Sequence, residues 1–100
     1  MRRHNRQTQE DGFAFLRAHA AEYLDDLITE FGRELDHSLR CWLLELIGEA
    51  RSPRALPLLL EQLHSSDEAL RHWAVVGLQL LDGHDARQAL FHARSQGLID

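Results

Sequence analysis

The chain has few of the residues that cross-link or interrupt a polypeptide. Its 100 residues include two Pro, six Gly and a single Cys, at position 41. One cysteine excludes an internal disulfide framework. The small number of Pro and Gly, beside 44% hydrophobic residues, indicates a globular chain. We therefore expect one domain with one core, in which Cys41 is a buried and inert thiol.

Lysine is absent, since all eleven cationic side chains are Arg. This excludes a Schiff-base lysine and the lysine of a P-loop. The lack of Lys beside abundant Ala, Arg and Leu suggests a GC-rich bacterial genome. The formal net charge of −5 argues against a nucleic-acid binder, because phosphate contacts need a cationic face.

Long apolar runs are absent as well. No stretch approaches the ~20 residues that a transmembrane helix needs, and no apolar segment follows the basic start as in a secretory signal. We expect no membrane association and a cytoplasmic location. Residues 1–8 carry Arg2, Arg3 and Arg6 and are expected to form a disordered basic tail, either solvated or in contact with an anionic partner.

β-Branched residues are scarce, which favours helix over sheet. The only valines are Val75 and Val76, and the only isoleucines are Ile28, Ile47 and Ile99. The sequence therefore predicts an all-α fold.

An internal repeat is the most informative feature of the chain. Residues 36–42, DHSLRCW, align with residues 67–73, DEALRHW, at a spacing of 31, so that Asp, Leu, Arg and Trp recur in register. A fixed period of this size is typical of a solenoid. We expect a single domain over residues 9–98, with three units at about 9–34, 35–65 and 66–97.

Helix start and stop signals divide each unit into two helices, six in all. Asp36 is placed to cap one helix, and Ser52-Pro53 to begin another. Ser65-x-x-Glu68 is a capping box for a third, while Gly32 and Asp82-Gly83 are expected to end helices. A short first helix holds Phe13, Leu16 and Ala20. The short connections between these helices predict antiparallel neighbours.

The repeated residues resemble a known family. Asp-x-x-Leu-Arg at 36–40 and 67–71, followed by an apolar helix, Gly48 and the segment SPRALPLL at 52–59, is similar to the HEAT repeat. More narrowly, it resembles the short bacterial repeats of phycobilin lyases. The resemblance implies an α-solenoid of about three helix pairs, with first helices on the convex side and second helices on the concave, ligand-facing side. It also implies structural roles for Asp36, Arg40, Asp67 and Arg71.

The second helix of unit one has a polar face that is a candidate partner-binding surface. Glu22, Asp26 and Glu30 stand at i, i+4 and i+8 and so line one side of the helix. This face is either a docking strip for a basic partner or a solvated outer face. Its residues are Glu22, Asp25, Asp26, Thr29, Glu30 and Arg33.

The C-terminal end is a second candidate surface. Helix 68–81 is apolar around most of its circumference, and the last helix is followed by Leu98 and Ile99 without a polar cap. We expect a second copy or another partner to bury part of Phe91, Leu98 and Ile99. Trp42 and Trp73 hold the same position in successive units, which favours a shared packing role over interface anchoring.

No arrangement of residues predicts chemistry. The seven His show no metal-binding pairing on one helix, and spacing supports neither a Ser-His-Asp nor a Cys-His site. We expect no metal, cofactor or catalytic residue. The leading function is a protein–protein interaction module, either an adaptor or an immunity- or antitoxin-like binder of a basic partner. The alternative is a phycobilin-lyase-like, chromophore-handling enzyme. A HEAT-like DNA glycosylase needs a cationic cleft, whereas residues 8–36 are acidic.

Overall fold

The protein is described by a computed structural model over residues 19–99, and every regular element in that range is helical. The five helices are α1 (Leu24–Arg33), α2 (His37–Glu49), α3 (Leu56–Leu63), α4 (Glu68–Leu81) and α5 (His84–Ser95), with a 3-10 turn at Pro53–Ala55. The all-α prediction is confirmed, and five of the six expected helices are seen within residues 19–99. Of the expected first helix, Phe13 and Leu16 lie outside the described residues, and Ala20 is buried in a turn before α1.

Aspartates begin both helices of the repeated motif. Oδ1 of Asp36 accepts a hydrogen bond from the backbone N–H of Leu39 at 3.0 Å, and Oδ1 of Asp67 accepts one from Leu70 at 3.1 Å. The capping role predicted for Asp36 is confirmed, whereas the predicted capping box at Ser65 is wrong. Ser65 instead accepts from the backbone N–H of Asp67, because the charged carboxylate interacts more favourably with a helix N-terminus than a hydroxyl does.

Helix ends also differ in part from expectation. Gly32 does not end α1, which continues to Arg33 before Glu34 turns extended. The break at Asp82-Gly83 is confirmed, because Asp82 is left-handed at φ 51° and closes α4. Arg51 has the same φ of 51° just after α2. Residues other than glycine rarely adopt the left-handed backbone conformation. Here Arg51 and Asp82 each do so just after the first helix of a unit.

The helices form two layers around one core. Helices α2 and α4 lie along each other, while α1 packs on α2, and α3 and α5 pack on α4. Leu44, Leu46, Ile47, Leu59 and Leu78 are essentially inaccessible to solvent. Burial of a leucine side chain of this kind contributes about 1.5–3 kcal/mol. Because these residues belong to α2, α3 and α4, the core lies where the two repeated units meet.

Helices α2 and α4 contact each other through their backbones. A Cβ added to Gly48 would lie 2.9 Å from the Cα of Gly77, closer than real Cβ contacts allow. Side chains are therefore excluded at this crossing point, and both positions require glycine because of close approach.

The remaining repeated residues have packing roles. Trp42 and Trp73 are both half-buried against the core, as the repeated position predicted. The Arg40 guanidinium lies 4.2 Å from the centre of the Phe31 ring, and Arg71 Nη1 donates to the carbonyl of Ser65 at 2.8 Å. Leu39 departs from the repeat, since it is 45% exposed whereas its counterpart Leu70 is buried.

Candidate functional site

The polar face of α1 lies on the molecular surface. All six of its predicted residues are exposed, and they are called the acidic face below: Glu22, Asp25, Asp26, Thr29, Glu30 and Arg33. One detail of the prediction is wrong, because Glu22 does not belong to the helix. It lies in the preceding turn, where its backbone N–H bonds to the carbonyl of His19. The helix supplies Asp25 and Asp26 to its own first turn, where carboxylates interact favourably with the helix dipole.

Several charges of the acidic face have partners within the protein. Arg54 contacts Asp25 through both of its terminal nitrogens, with Nη2 3.2 Å from Oδ1 and Nη1 3.4 Å from Oδ2. Because Arg54 precedes α3, this pair joins the first unit to the second. Glu30 lies 3.9 Å from Arg33, a long contact between exposed groups that contributes well under 1 kcal/mol. Asp25 thus connects the two units, and Glu22, Asp26 and Glu30 present the remaining negative charge outward.

The C-terminal end reverses direction through a Schellman motif. Gly97 is left-handed at φ 78°, its N–H bonds to the carbonyl of Arg94, and the N–H of Leu98 bonds to the carbonyl of Ala93. The turn brings the chain back toward α4, so that Ile99 packs against the core. Leu98 remains 36% exposed and Phe91 67% exposed.

A groove lies between α4 and this returning segment, and is called the C-terminal groove below. It has a volume of about 360 Å³ and is lined by Glu68, Arg71, His72, Val75, Gln79, Arg94, Gly97, Leu98 and Ile99. The structure therefore brings together two of the three predicted C-terminal interface residues, Leu98 and Ile99. Phe91 lies outside the groove, one helical turn before Arg94.

A cluster of Cys41, His37 and Asp67 joins the two repeated units, and the sequence prediction missed it. His37 Nε2 lies 2.7 Å from Oδ2 of Asp67, and Cys41 Sγ lies 3.7 Å from the same nitrogen. Two signals in the sequence could have revealed it. His37 and Cys41 stand at i, i+4 on one helix, and Asp67 is the cap of the next first helix.

The geometry of this cluster does not activate the thiol. At 2.7 Å from a carboxylate, Nε2 must carry the proton and donate it to Asp67, so the same atom cannot accept a proton from Cys41. Burial raises the pKa of the Cys41 thiol, and the negative charge of Asp67 raises it further, against a smaller lowering by Arg40. A reactive cysteine needs the opposite shift. The cluster is therefore a structural contact between units.

The hydrogen bond also affects the carboxylate. The hydrogen bond from His37 holds the pKa of Asp67 below its usual value, and the bond from the backbone N–H of Leu70 adds a smaller lowering.

Between residues 19 and 99, no three His, Cys, Asp or Glu side chains are placed to hold a metal ion. No helix in the same range combines the length and the apolar character needed to cross a membrane.

Comparison with known proteins agrees with the repeat seen in sequence and structure. A family model described as HEAT repeats matches residues 24–96. No curated protein and no solved structure matches the chain significantly. The match concerns HEAT repeats in general and does not confirm the narrower resemblance to phycobilin lyases. Because the matched range covers well over half of the sequence, the chain belongs to the HEAT-repeat family.

Proposed function

We propose that this protein is a non-catalytic protein-binding module whose acidic face docks a basic partner. HEAT repeats generally mediate protein–protein interaction and are generally not catalytic. The observation that carries the proposal is the position of Asp26 and Glu30, both exposed on α1 and both directed away from the core residues Leu24, Leu27 and Phe31. α1 occupies the place of a second helix, which faces the ligand in this family.

The charge distribution supports a basic partner. Residues 19–36 contain six acidic side chains against one Arg, so the negative charge of this segment equals the net charge of −5 of the whole chain. A concentrated field of one sign accelerates encounter with an oppositely charged surface and repels partners of like charge. Because the carboxylates are exposed, the attraction is screened by salt, and the association rate should fall as ionic strength rises.

A pair of charge reversals tests the proposal. The variant Asp26→Lys/Glu30→Lys reverses the acidic face, and the control Glu68→Lys/Asp82→Lys makes the same net charge change at exposed positions at the two ends of α4, a first helix. Wild-type and variant proteins are used to capture partners from a lysate of the source organism. We expect a basic protein to be retained by the wild type and the control and lost by the acidic-face variant.

The same comparison can contradict the proposal. Equal recovery of the same proteins by all three baits would show that the acidic face is only a solvated surface.

An adaptor and an immunity-like binder differ in their expected effect on the captured protein. An immunity-like binder inhibits its partner's activity when added in equal amount, whereas an adaptor leaves it unchanged.

A further inference from the structure

The C-terminal groove occupies the place where another unit of the stack would pack. Gly48 contacts Gly77, so the side of α2 that carries Gly48 faces α4. Cys41 and Leu44 lie on that same side of α2, at i−7 and i−4 from Gly48. Moving each position forward by the 31-residue period leads to three residues that all line the groove, namely His72, Val75 and Gln79. In a solenoid, such a face is normally covered.

The groove differs from its counterpart in one decisive respect. Gln79 stands where α2 has Gly48, and only glycine allows another helix to approach as closely as α4 approaches α2. The returning segment at Gly97–Ile99 forms the opposite wall. The groove is therefore shaped to accept a side chain between its walls and not a helix in backbone contact.

An exposed aromatic residue lies beside the groove. Phe91 is 67% exposed and precedes the groove residue Arg94 by three positions on α5, so both are on the same side of the helix. Large aromatic side chains that enter a pocket are the usual anchors of protein interfaces. A projecting side chain and a groove thus lie next to each other at one end of the molecule.

The charges lining the groove complement themselves. Glu68 and Arg71 lie three positions apart on α4, and Arg94 lies on α5. In a two-fold contact the same surface of both copies is used, and residue i of one copy meets residue j of the other and the reverse, so Glu68 of one copy can meet a guanidinium of the other. A groove of a single sign would repel its own copy. Opposite charges in the same lining therefore favour a second copy over a strongly charged foreign partner.

We propose that two copies of the protein associate through their C-terminal ends, with Phe91 of each copy inserted into the C-terminal groove of the other. The phenyl ring contacts Val75, Leu98 and Ile99 of the second copy. The contact is isologous, so it closes at a dimer and does not propagate into a filament. It lies on a different surface from the acidic face and is independent of the partner proposed there.

Sedimentation velocity over a wide range of protein concentration tests the dimer. The wild type should shift from the monomer mass of 11.5 kDa to twice that value as concentration rises. Phe91→Ser should weaken the dimer by about tenfold or more, because it removes the anchoring side chain. Leu35→Ser is the matched control, since Leu35 is 95% exposed and lies between α1 and α2; it should behave as the wild type.

A mixing experiment distinguishes insertion into the groove from a general apolar contact. Val75→Glu places a charge in the floor of the groove and should also weaken the dimer. In an equal mixture, the intact Phe91 of the Val75→Glu copy can enter the intact groove of the Phe91→Ser copy. The mixture should therefore dimerise more strongly than either variant alone. Leu98→Glu, at the exposed rim, takes the place of Val75→Glu if circular dichroism shows that the latter is unfolded.

Three results would overturn the proposal. The first is a wild type that remains at the monomer mass at every concentration. The second is a dimer that Phe91→Ser leaves intact or that Leu35→Ser weakens equally. The third is a mixture that dimerises no better than its components. The variant Asp26→Lys/Glu30→Lys should dimerise as the wild type does, so failure of the acidic-face proposal would be seen separately.

Discussion

Replacement of Gly48 by Ala should destabilise the protein, although the same change in most helices does the reverse. Alanine is favoured over glycine in a helix interior by about 1 kcal/mol. At Gly48, however, the new Cβ would lie 2.9 Å from the Cα of Gly77. A backbone atom cannot rotate away as a side chain can, so α2 and α4 must separate. That separation loosens the packing of Leu44 and Leu78, which are fully buried.

The balance of these effects gives the expected magnitude. Overpacking in a well-packed core costs about 1–3 kcal/mol, and the rigidity of the contact places this case toward the upper end. Subtracting the helix-propensity gain of about 1 kcal/mol leaves a net loss of about 1–2 kcal/mol. For a domain of this size, the melting temperature should fall by about 5–10 °C. Thermal and urea unfolding followed by circular dichroism measure it.

Gly32 provides the control. It lies in α1, and a Cβ added there would meet nothing within 4 Å. Gly32→Ala should therefore show the helix-propensity gain alone, a stabilisation of up to about 1 kcal/mol. The reasoning is refuted if Gly48→Ala is as stable as the wild type, or if both substitutions change stability in the same direction.

Three further predictions concern the start of the repeated helices. The pKa of Asp67 is held below its usual value, so the ionised carboxylate stabilises the fold above the usual carboxyl pKa, and this stabilisation is lost as pH falls through the lowered value. Asp67→Asn or His37→Ala should therefore flatten the loss of urea resistance on acidification. An unchanged pH profile would contradict this prediction. Asp36→Ala removes a helix cap and should cost about 1 kcal/mol in urea unfolding, whereas Asp36→Asn should retain most of it. Because the charge of Asp67 raises the pKa of the Cys41 thiol, Asp67→Asn should speed alkylation of Cys41 at a fixed pH near neutrality; a slower or equal rate would count against the electrostatic contact.

The repeat could be predicted from sequence because its residues are fixed by geometry. Asp36 and Asp67 recur since each must cap a helix at the same place in the unit, and their bonds to Leu39 and Leu70 are nearly identical. The period of the motif then determines which helices pair. Ser65 is predicted as a cap because it opens a capping-box pattern. The sequence does not show whether Ser65 or Asp67 caps the helix.

Tertiary contacts were the part that local patterns could not supply. Leu39 and Leu70 are equivalent in the repeat, yet one is 45% and the other 4% exposed. Helical spacing gives the same face to both and does not state what covers it. The pairing of Asp25 with Arg54 spans 29 residues, so no periodicity within α1 could reveal that one charge of the acidic face is already occupied.

The contact between His37 and Asp67 gives the chain a direction in which it can assemble. Asp67 uses one carboxylate oxygen to cap its own helix and the other to accept from a residue of the preceding unit. The cap of α4 forms within its own helix, whereas the second bond to Asp67 forms only when α2 is in place. A chain emerging from the ribosome N-terminus first presents α2 before α4. The second unit thus supplies one hydrogen bond to the start of the third, and assembly in the opposite order would begin α4 without the histidine of α2.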